Sequence, residues 1–438
     1  MANAAGPGTR GGLAPVALRL SACAAIATLA GWAAPGCALA QTDVFSRDTL
    51  HAVLDLRGAA ADGEPSFTQG GFGKARFGGG EDGGASAKIV LADATLEWTP
   101  RISWDFGDLG LVVDATNQPG QEHVADLGQA YFVFKPVPRS QTRWQLRGGL
   151  FYPPVSLEHD GRGWTLTDTI TPSAINSWIG EEAKVAGLEG SISTVIGDET
   201  VKATGAIFGY DDTSGTLLSF RGWALHDITS QAHGSFPLPP LSPFIATVQD
   251  TESYSTLEID RRLGFYGRLE WTPTPPLTLH AFYYDNLGDK VSVTPDLQWA
   301  WATRFWEFGG RWDLDEKTDV MAQALLGTTV MGYPTPGGRF VDMDFRSAYL
   351  RATREVGKNA FTARLDLFDT HDNAALFLGD TNERGWALTA AWRYPLNRWL
   401  DVRLEGLHID SDRPARAVVR EAARQSQDVV QSSLRLSL

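Results

Sequence analysis

Acidic and basic residues recur two positions apart in several segments of this chain, as in Asp55/Arg57 and Arg364/Asp366. In an extended strand, residues i and i+2 point to the same face, so the two side chains of such a pair lie side by side. If such strands enclose a water-filled lumen, rings of opposite charge on the inner face produce a transverse field that orients water and dipolar solutes. Charge rings also tune ion selectivity. The same pairs could instead form a salt-bridge network that stiffens the wall, and the sequence leaves both hypotheses open. The residues predicted to line the lumen are Arg57, Arg143, Arg147, Arg268, Glu270, Arg311, Asp313, Arg364, Asp366, Arg403 and Glu405.

The segment 263–284 indicates which elements position these charges. Residues of the two faces alternate through LGFYGRLEW and LTLHAFYY, and the turn TPTPP joins the two arms. Alternation with a period of two, in two arms joined by a tight turn, is the pattern of an antiparallel hairpin. Arms of this kind recur to the C-terminus, and strands that cross a bilayer need about 9–11 residues each when tilted. The sequence therefore predicts an all-β fold, a transmembrane antiparallel β-barrel.

The number of strands follows from the arms and their directions. Seventeen arms can be recognised, one of which is TLLSFRGWAL (216–225). Single-chain bacterial barrels have an even number of strands. The alternation of directions requires one more arm between Leu225 and Leu263, and SYSTLEIDR (253–261) is the candidate. We therefore predict 18 strands, with 16 as the alternative if one arm belongs to a loop.

The connections between arms are of two kinds. Short ones such as WTPR and EVGKN alternate with long ones such as 58–87 and 285–303. This is typical of an outer-membrane barrel with short periplasmic turns and long extracellular loops. The 152–183 loop follows the fifth arm and contains apolar residues, so we predict that it folds into the pore as a constriction. The residues predicted to act in this constriction loop are Glu158, Asp160, Arg162 and Asp168.

The N-terminal residues 1–40 have the features of a secretory signal peptide. Arg10 and Arg19 precede an apolar run, and Ala38-Leu39-Ala40 forms a small-x-small cleavage site. An alternative is a lipoprotein acylated at Cys37. Both cysteines lie in this segment, so the mature chain, residues 41–438, has no disulfide to stabilise it.

Composition and motifs exclude several classes of protein. A formal net charge of −14 argues against a nucleic-acid partner. The chain contains no nucleophile elbow, HExxH or P-loop pattern, so we predict neither an enzyme nor a bound cofactor or metal. The acidic pairs Glu81-Asp82, Glu181-Glu182 and Asp211-Asp212 could bind calcium, or lipopolysaccharide through bridging cations. We predict that they are more simply solvated loop charges.

One segment resembles a known family. RGGLFYPPVSLEHDG (147–161) resembles the phosphate-selective porin O/P family and related porin-like proteins, in which a strand leads into a loop that narrows the pore. The corresponding residues are Gly149, Phe151, Pro154, Ser156, Leu157 and Glu158. The resemblance implies a general porin, trimeric or monomeric. It does not imply phosphate selectivity, because the basic loop residues of a phosphate funnel are not evident.

These observations predict a porin of a Gram-negative outer membrane that passively admits small hydrophilic solutes or ions. Its expected partners are membrane lipid, lipopolysaccharide, the solutes and, in a homotrimer, two further copies of the chain. Two alternatives stay open. One is a barrel that does not conduct, such as an outer-membrane hydrolase or an adhesion scaffold, and the other is a secreted soluble β-sandwich.

Overall fold

A computed structural model describes residues 44–80, 84–120, 123, 125–273, 276–374 and 381–438. The predicted signal peptide lies outside these residues. The strands are β1 Leu50–Ala61, β2 Ser86–Trp98, β3 Arg101–Trp104, β4 Gly107–Asn117, β5 Asp126–Pro136, β6 Arg143–Phe151, β7 Val185–Ile196, β8 Glu199–Gly209, β9 Ser235–Pro237, β10 Glu252–Tyr254, β11 Gly264–Thr272, β12 Leu277–Asp285, β13 Ala302–Asp315, β14 Thr318–Met331, β15 Val341–Val356, β16 Asn359–Asp372, β17 Glu383–Pro395, β18 Leu400–Asp412 and β19 Arg424–Ser437. The α-helices are α1 Ala174–Glu182 and α2 Thr216–Phe220, and short 3-10 helices cover Phe67–Gln69, Arg162–Trp164, Ile245–Thr247 and Pro414–Val419.

The strands form one closed antiparallel barrel. Consecutive strands pair as neighbours, β19 closes the ring on β1, and β8 pairs directly with β11. Both β2 and β3 pair with β4, so they occupy a single position in the wall, and the barrel has 16 positions. The predicted all-β antiparallel barrel is confirmed with its alternative count of 16 strands. The count of 18 is wrong.

The two missing strands lie in the loop between β8 and β11. Residues 216–220 of the predicted arm form α2, and of 253–261 only the first residues belong to a strand, which pairs with β9 in a separate small sheet. Leu217 and Leu218 are both fully buried, whereas a barrel strand exposes alternate residues. A short apolar run cannot be assigned to a strand or a buried helix from periodicity alone, and this one is a buried helix.

The outer face of the barrel is apolar. In the hairpin of β11 and β12, Phe265, Leu269 and Trp271 are exposed on the outside, while Tyr266 points inward and is 2% exposed. Alternation of this kind continues around the barrel, as in β16, where exposed Leu365 precedes buried Asp366. Among the described residues, no helix is long and apolar enough to cross a membrane.

The two rims of the barrel differ. Short connections such as those between β7 and β8, β13 and β14, and β15 and β16 share one rim, which we call the turn rim. The long connections after β1, β6, β8 and β12 share the other, the loop rim. Parts of the loops after β1, β6 and β8 pack inside the barrel, which brings side chains distant in sequence against the inner wall.

An apolar core lies inside the barrel. Trp178 of α1 is 1% exposed, and its ring centroid lies 5.3 Å from Phe305 and 5.2 Å from Phe345, which are inward residues of β13 and β15. Trp223, which follows α2, packs on Trp178 from the adjacent loop, with centroids 6.1 Å apart. The inner face is therefore aromatic where the helices pack, and charged elsewhere, instead of being polar throughout.

Candidate pore constriction

The 152–183 loop lies inside the barrel. Just before it, Gly149 of β6 has a φ of 133°, and a Cβ atom at this position would clash with the Ala130 carbonyl oxygen, so both features require glycine. Helix α1 begins after Ser173, whose hydroxyl accepts the N–H of Asn176 as an N-cap. All nine residues of α1 are buried. The chain then returns to the wall at β7.

A buried ion-pair cluster joins this loop to β16. The Nη1 atom of Arg364 lies 3.2 Å from Oε1 of Glu158, and its Nε lies 2.8 Å from Oδ2 of Asp366. The second oxygen of Glu158 accepts the Ser173 N–H at 2.8 Å and the Asn176 side-chain amide at 2.6 Å. Burial raises the pKa of Glu158, but the guanidinium groups of Arg364 and Arg351 and the hydrogen bonds to the carboxylate together outweigh burial, and the pKa lies below its usual value. Glu158 is therefore a charged anchor that holds the loop and the start of α1 together.

Charged residues of β18 and β19 bind the main chain of the same loop. Glu405 accepts the N–H groups of Ile170 at 2.7 Å and Thr171 at 3.1 Å. Arg403 and Arg435 both donate to the carbonyl oxygen of Leu166, at 2.9 and 2.7 Å. Buried peptide groups need such partners when they lie outside helices and strands. These wall charges thus serve to position the loop.

The remaining contacts fix the side of the loop nearest β14 and β15. Asp168 lies 3.0 Å from Nη2 of Arg351, which also contacts Asp319 at 3.1 Å. Gln323 of β14 donates to the Val155 carbonyl oxygen at 2.9 Å and accepts from Asn176 at 2.9 Å. The loop is therefore tied to strands β14, β15, β16, β18 and β19 of the wall.

The tip of the loop contacts β2, which only β1 separates from β19 in the wall. The N–H of Gly163 donates to Glu97 at 2.9 Å, and Gly163 has a φ of 58°. A Cβ atom here would lie 2.7 Å from Cγ2 of Thr95, so only glycine allows this approach. Next to the tip, Trp164 stacks between Tyr152 and His159, with ring centroids 3.9 and 3.6 Å away. The aromatic stack holds the tip in a fixed shape against the wall.

In each predicted i and i+2 pair, the two side chains form an ion pair with each other. The distances are 2.7 Å for Arg57 to Asp55, 2.7 Å for Arg268 to Glu270, 3.2 Å for Arg311 to Asp313, 2.8 Å for Arg364 to Asp366 and 2.6 Å for Arg403 to Asp401. Each pair is therefore at least partly neutralised within its own strand.

The predicted residues do not form one ring. Arg364, Asp366, Arg403 and Glu405 meet the 152–183 loop, whereas Arg57 contacts Asp227 of the loop after β8 at 2.6 Å. On another part of the wall, Arg147 contacts Glu189, and Arg268 meets the start of the 152–183 loop by donating to the Pro154 carbonyl oxygen. Five predicted residues stay at least partly exposed and do not contact the buried groups that hold the loop. They are Arg143, Arg311 and Asp313 near the turn rim, and Asp160 and Arg162 on the loop itself.

Several residues that anchor the 152–183 loop inside the barrel escaped the sequence prediction. Arg435 is a wall arginine without an acidic residue two positions away, so the pair pattern does not select it. Arg221 and His226 come from the loop after β8 and contact Glu181 of α1. No local signal in the sequence marks such a contact between two loops.

The acidic pairs Glu181-Glu182 and Asp211-Asp212 are buried, so the prediction of solvated loop charges is wrong for both. Burial raises the pKa of Glu182 to about 7, with a further contribution from Glu181. Asp212 lies close to the carboxylates of Glu258 and Asp260, and it accepts the Asp260 N–H at 3.0 Å. Glu81-Asp82 lies outside the described residues.

Comparison with known proteins gives structural relatives only. No protein-family model matches the chain, and no curated protein matches it. The outer membrane channel DcaP of Acinetobacter baumannii has a TM-score of 0.54 at 10% identity, covering 90% of this chain and 99% of that one. An anion-selective porin from Comamonas acidovorans has a TM-score of 0.52 at 10% identity, covering 92% and 100%.

A loop-deletion mutant of OmpT, an outer membrane protein of Vibrio cholerae, has a TM-score of 0.51 at 11% identity, covering 89% of this chain and 99% of that one. At these identities the likeness establishes the fold alone. The specific resemblance to the phosphate-selective O/P family stays a prediction. The chain has the fold of a closed 16-stranded outer-membrane β-barrel, with an inserted loop anchored inside it.

Proposed function

We propose that this protein is a channel of a Gram-negative outer membrane that admits small hydrophilic solutes or ions by passive diffusion. The observation that carries the proposal is the 152–183 loop, which is anchored inside the barrel through Glu158 and Arg364 and narrows the lumen. Rigid anchoring is what a size filter requires, because a mobile loop would not define a constant aperture. The mechanism needs no catalytic group and no cofactor.

The apolar outer face supports membrane insertion. Strands that alternate apolar outward and polar inward are stable in a bilayer when they close into a barrel, since no strand edge is left unpaired. In this proposal the turn rim faces the periplasm, the loop rim faces the exterior with its lipopolysaccharide, and residues 1–40 direct export. A homotrimer is part of the proposal, and cross-linking of the detergent-solubilised protein tests it.

The charged inner wall supports passage of polar solutes. Arg143, Arg311 and Asp313 are at least partly exposed near the turn rim and would meet a solute in the vestibule on that side. Deeper in the barrel the side chains contact one another and the loop. A solute entering from the exterior therefore crosses the narrow polar constriction first and this charged vestibule second, and only small species pass the constriction.

A non-conducting barrel is a second candidate, and the packed interior favours it. Trp178, Trp223 and Phe345 form an apolar core within the barrel, which would block a wide aqueous pore. In this alternative the buried ion pairs only stabilise a rigid scaffold, as for an adhesion protein or a hydrolase, and they contribute nothing to transport.

Conductance of the purified protein in a planar lipid bilayer decides between the two candidates. The channel hypothesis predicts stepwise increases in current at constant voltage. The folded state of the same sample is verified by its heat-modifiable migration on a gel, and a heat-denatured sample serves as control. A correctly folded sample that gives no current steps would refute the channel and favour the scaffold.

A further inference from the structure

A small cavity lies between the 152–183 loop and the wall formed by β2, β4 and β5. Its volume is about 30 Å³, which is enough for one or two water molecules or a dehydrated ion. It is lined on the wall side by polar residues and on the loop side by the aromatic stack. Its lining includes Asp93, Thr95, Asp114, Gln129, Trp164 and Arg435.

Most charges around this cavity are compensated by neighbours. Asp227 is contacted by Arg57 at 2.6 Å and by Arg76 at 2.9 Å. Arg435 is contacted by Asp55 at 3.0 Å and donates to the Leu166 carbonyl oxygen. Arg57 also pairs with Asp55, so three arginines share two carboxylates and this cluster keeps one net positive charge.

Two carboxylates are the exception. Within the described part of the chain, neither Asp93 nor Asp114 forms an ion pair, although they are only 7% and 3% exposed. Asp114 accepts the Gln129 side-chain amide at 2.8 Å through Oδ2, and its Oδ1 atom has no hydrogen-bond partner among the described residues. A buried carboxylate oxygen without a partner is costly, so this position favours a ligand that supplies positive charge.

The cavity also offers neutral oxygen atoms. The Thr95 hydroxyl donates to Asp93 at 2.8 Å, and the Thr116 hydroxyl lies 3.0 Å from that of Thr95. Carboxylate, hydroxyl and amide oxygens together are the ligands that hard cations prefer. The donor set is that of a site for a small cation, and the one group in it suited to bind an anion is Arg435, which shares Asp55 with Arg57 and donates to the Leu166 carbonyl oxygen.

Of the two nearby nitrogen groups, the ring of His159 does not offset these carboxylates and the amine of Lys184 offsets them only in part. Burial lowers the pKa of His159 to about 3, so its ring is neutral at physiological pH. Burial also lowers the pKa of Lys184 to about 7, and its ammonium group donates to the Ser230 carbonyl oxygen and lies 4.8 Å from the centre of the Tyr152 ring. The two carboxylates Asp93 and Asp114 together still outweigh the one net positive charge of the arginine cluster.

We propose that this cavity is a binding site for a small monovalent cation and makes the channel cation-selective. The inference rests on the proposed channel function and names the class of ion that passes. The numerous lumen arginines would suggest the opposite preference. Each arginine that anchors the loop has an acidic partner, however, so selectivity is determined by the two carboxylates that have none.

The reversal potential of the purified protein in asymmetric KCl tests the inference. The wild type is expected to favour K⁺ over Cl⁻. Replacing Asp114→Asn should reduce the permeability ratio by about fivefold or more, which is the effect of one unit charge about 4 Å from an ion even in bulk-like water. Asp93→Asn should act in the same direction, and Asp114→Glu should retain the preference because it keeps the charge.

Asp198→Asn is the matched control, because Asp198 is an exposed carboxylate in the turn between β7 and β8, away from the cavity. It should leave the ratio unchanged. A second measurement needs only the wild type: exchanging K⁺ for tetraethylammonium should sharply reduce the current, because an organic cation of that size does not fit a cavity of about 30 Å³.

The outcomes separate the inference from the proposed function. A folded wild type without current refutes the channel itself. A conducting wild type that prefers chloride, or that passes tetraethylammonium as readily as K⁺, overturns the cation site. So does a cation preference that both Asp→Asn variants retain, since the selectivity would then arise elsewhere in the lumen.

Discussion

Arg364 of β16 and Glu158 of the 152–183 loop are 206 positions apart in sequence, and Nη1 of the first lies 3.2 Å from Oε1 of the second. Both side chains are about 1% exposed. The pair connects the barrel wall to the loop that fills it. A buried ion pair whose partners are also hydrogen-bonded fixes a geometry, because removing either partner leaves an uncompensated charge.

Arg364→Ala should destabilise the protein strongly. It leaves Glu158 and Asp366 buried without their cation, and breaking a buried pair in this way typically costs about 3–5 kcal/mol. The measurement is the midpoint of urea unfolding in detergent. Arg311→Ala is the control, because the Arg311–Asp313 pair is half exposed and should contribute no more than about 1 kcal/mol. Equal losses in the two variants would contradict the role of Arg364 as an anchor.

The same anchor predicts a response to acid. The pKa of Glu158 in the folded protein lies below its usual value of 4.5, so its contribution to stability is complete above that pH and is lost as the pH falls through the folded value. The free energy of unfolding should therefore decrease on acidification below pH 4.5. The difference between wild type and Glu158→Gln should shrink over the same range. A difference that stays constant with pH would show that Glu158 is not ionised in the fold.

Burial of Lys184 predicts a second change of stability with pH, in the alkaline range. Burial lowers its pKa from 10.5 to about 7, so the unfolded chain binds more protons than the folded one between these values. The free energy of unfolding should rise as the pH increases from 7 to 10.5. Lys184→Met should remove this rise, whereas Lys317→Met, at an exposed turn residue, should preserve it. An unchanged slope in Lys184→Met would contradict the prediction.

Gly163→Ala should displace the tip of the loop from β2. The new Cβ atom would lie 2.7 Å from Thr95, and a φ of 58° costs about 1–2 kcal/mol in a residue other than glycine. We expect the hydrogen bond to Glu97 to be lost and single-channel conductance to change. Gly190→Ala is the control, because its Cβ atom would meet nothing within 4 Å. Identical conductance in both variants would exclude the tip from the conduction path.

The barrel wall could be predicted from local patterns. The alternation in the segment 263–284 determines which side chains face outward, and residues such as Arg268 and Glu270 share the inner face because a strand has a period of two. Both features depend on neighbours in sequence. The exact number of strands could not be fixed in the same way, since the run TLLSF in 216–220 satisfies a strand and a buried helix equally well.

What fills the barrel was decided only by the tertiary structure. Glu158 was a recognisable candidate because it is a charged residue in a loop of mixed polarity, but nothing local to it indicates Arg364. In the sequence, Asp93 and Asp114 look like any other carboxylate on an inward face. Only the folded chain shows that, among the described residues, neither forms an ion pair, whereas Asp55 pairs with Arg57 and Arg435. The sequence by itself determined the wall, because strand pairing repeats a local pattern. The tertiary structure determined which charges are neutralised, because that depends on contacts between residues far apart in the chain.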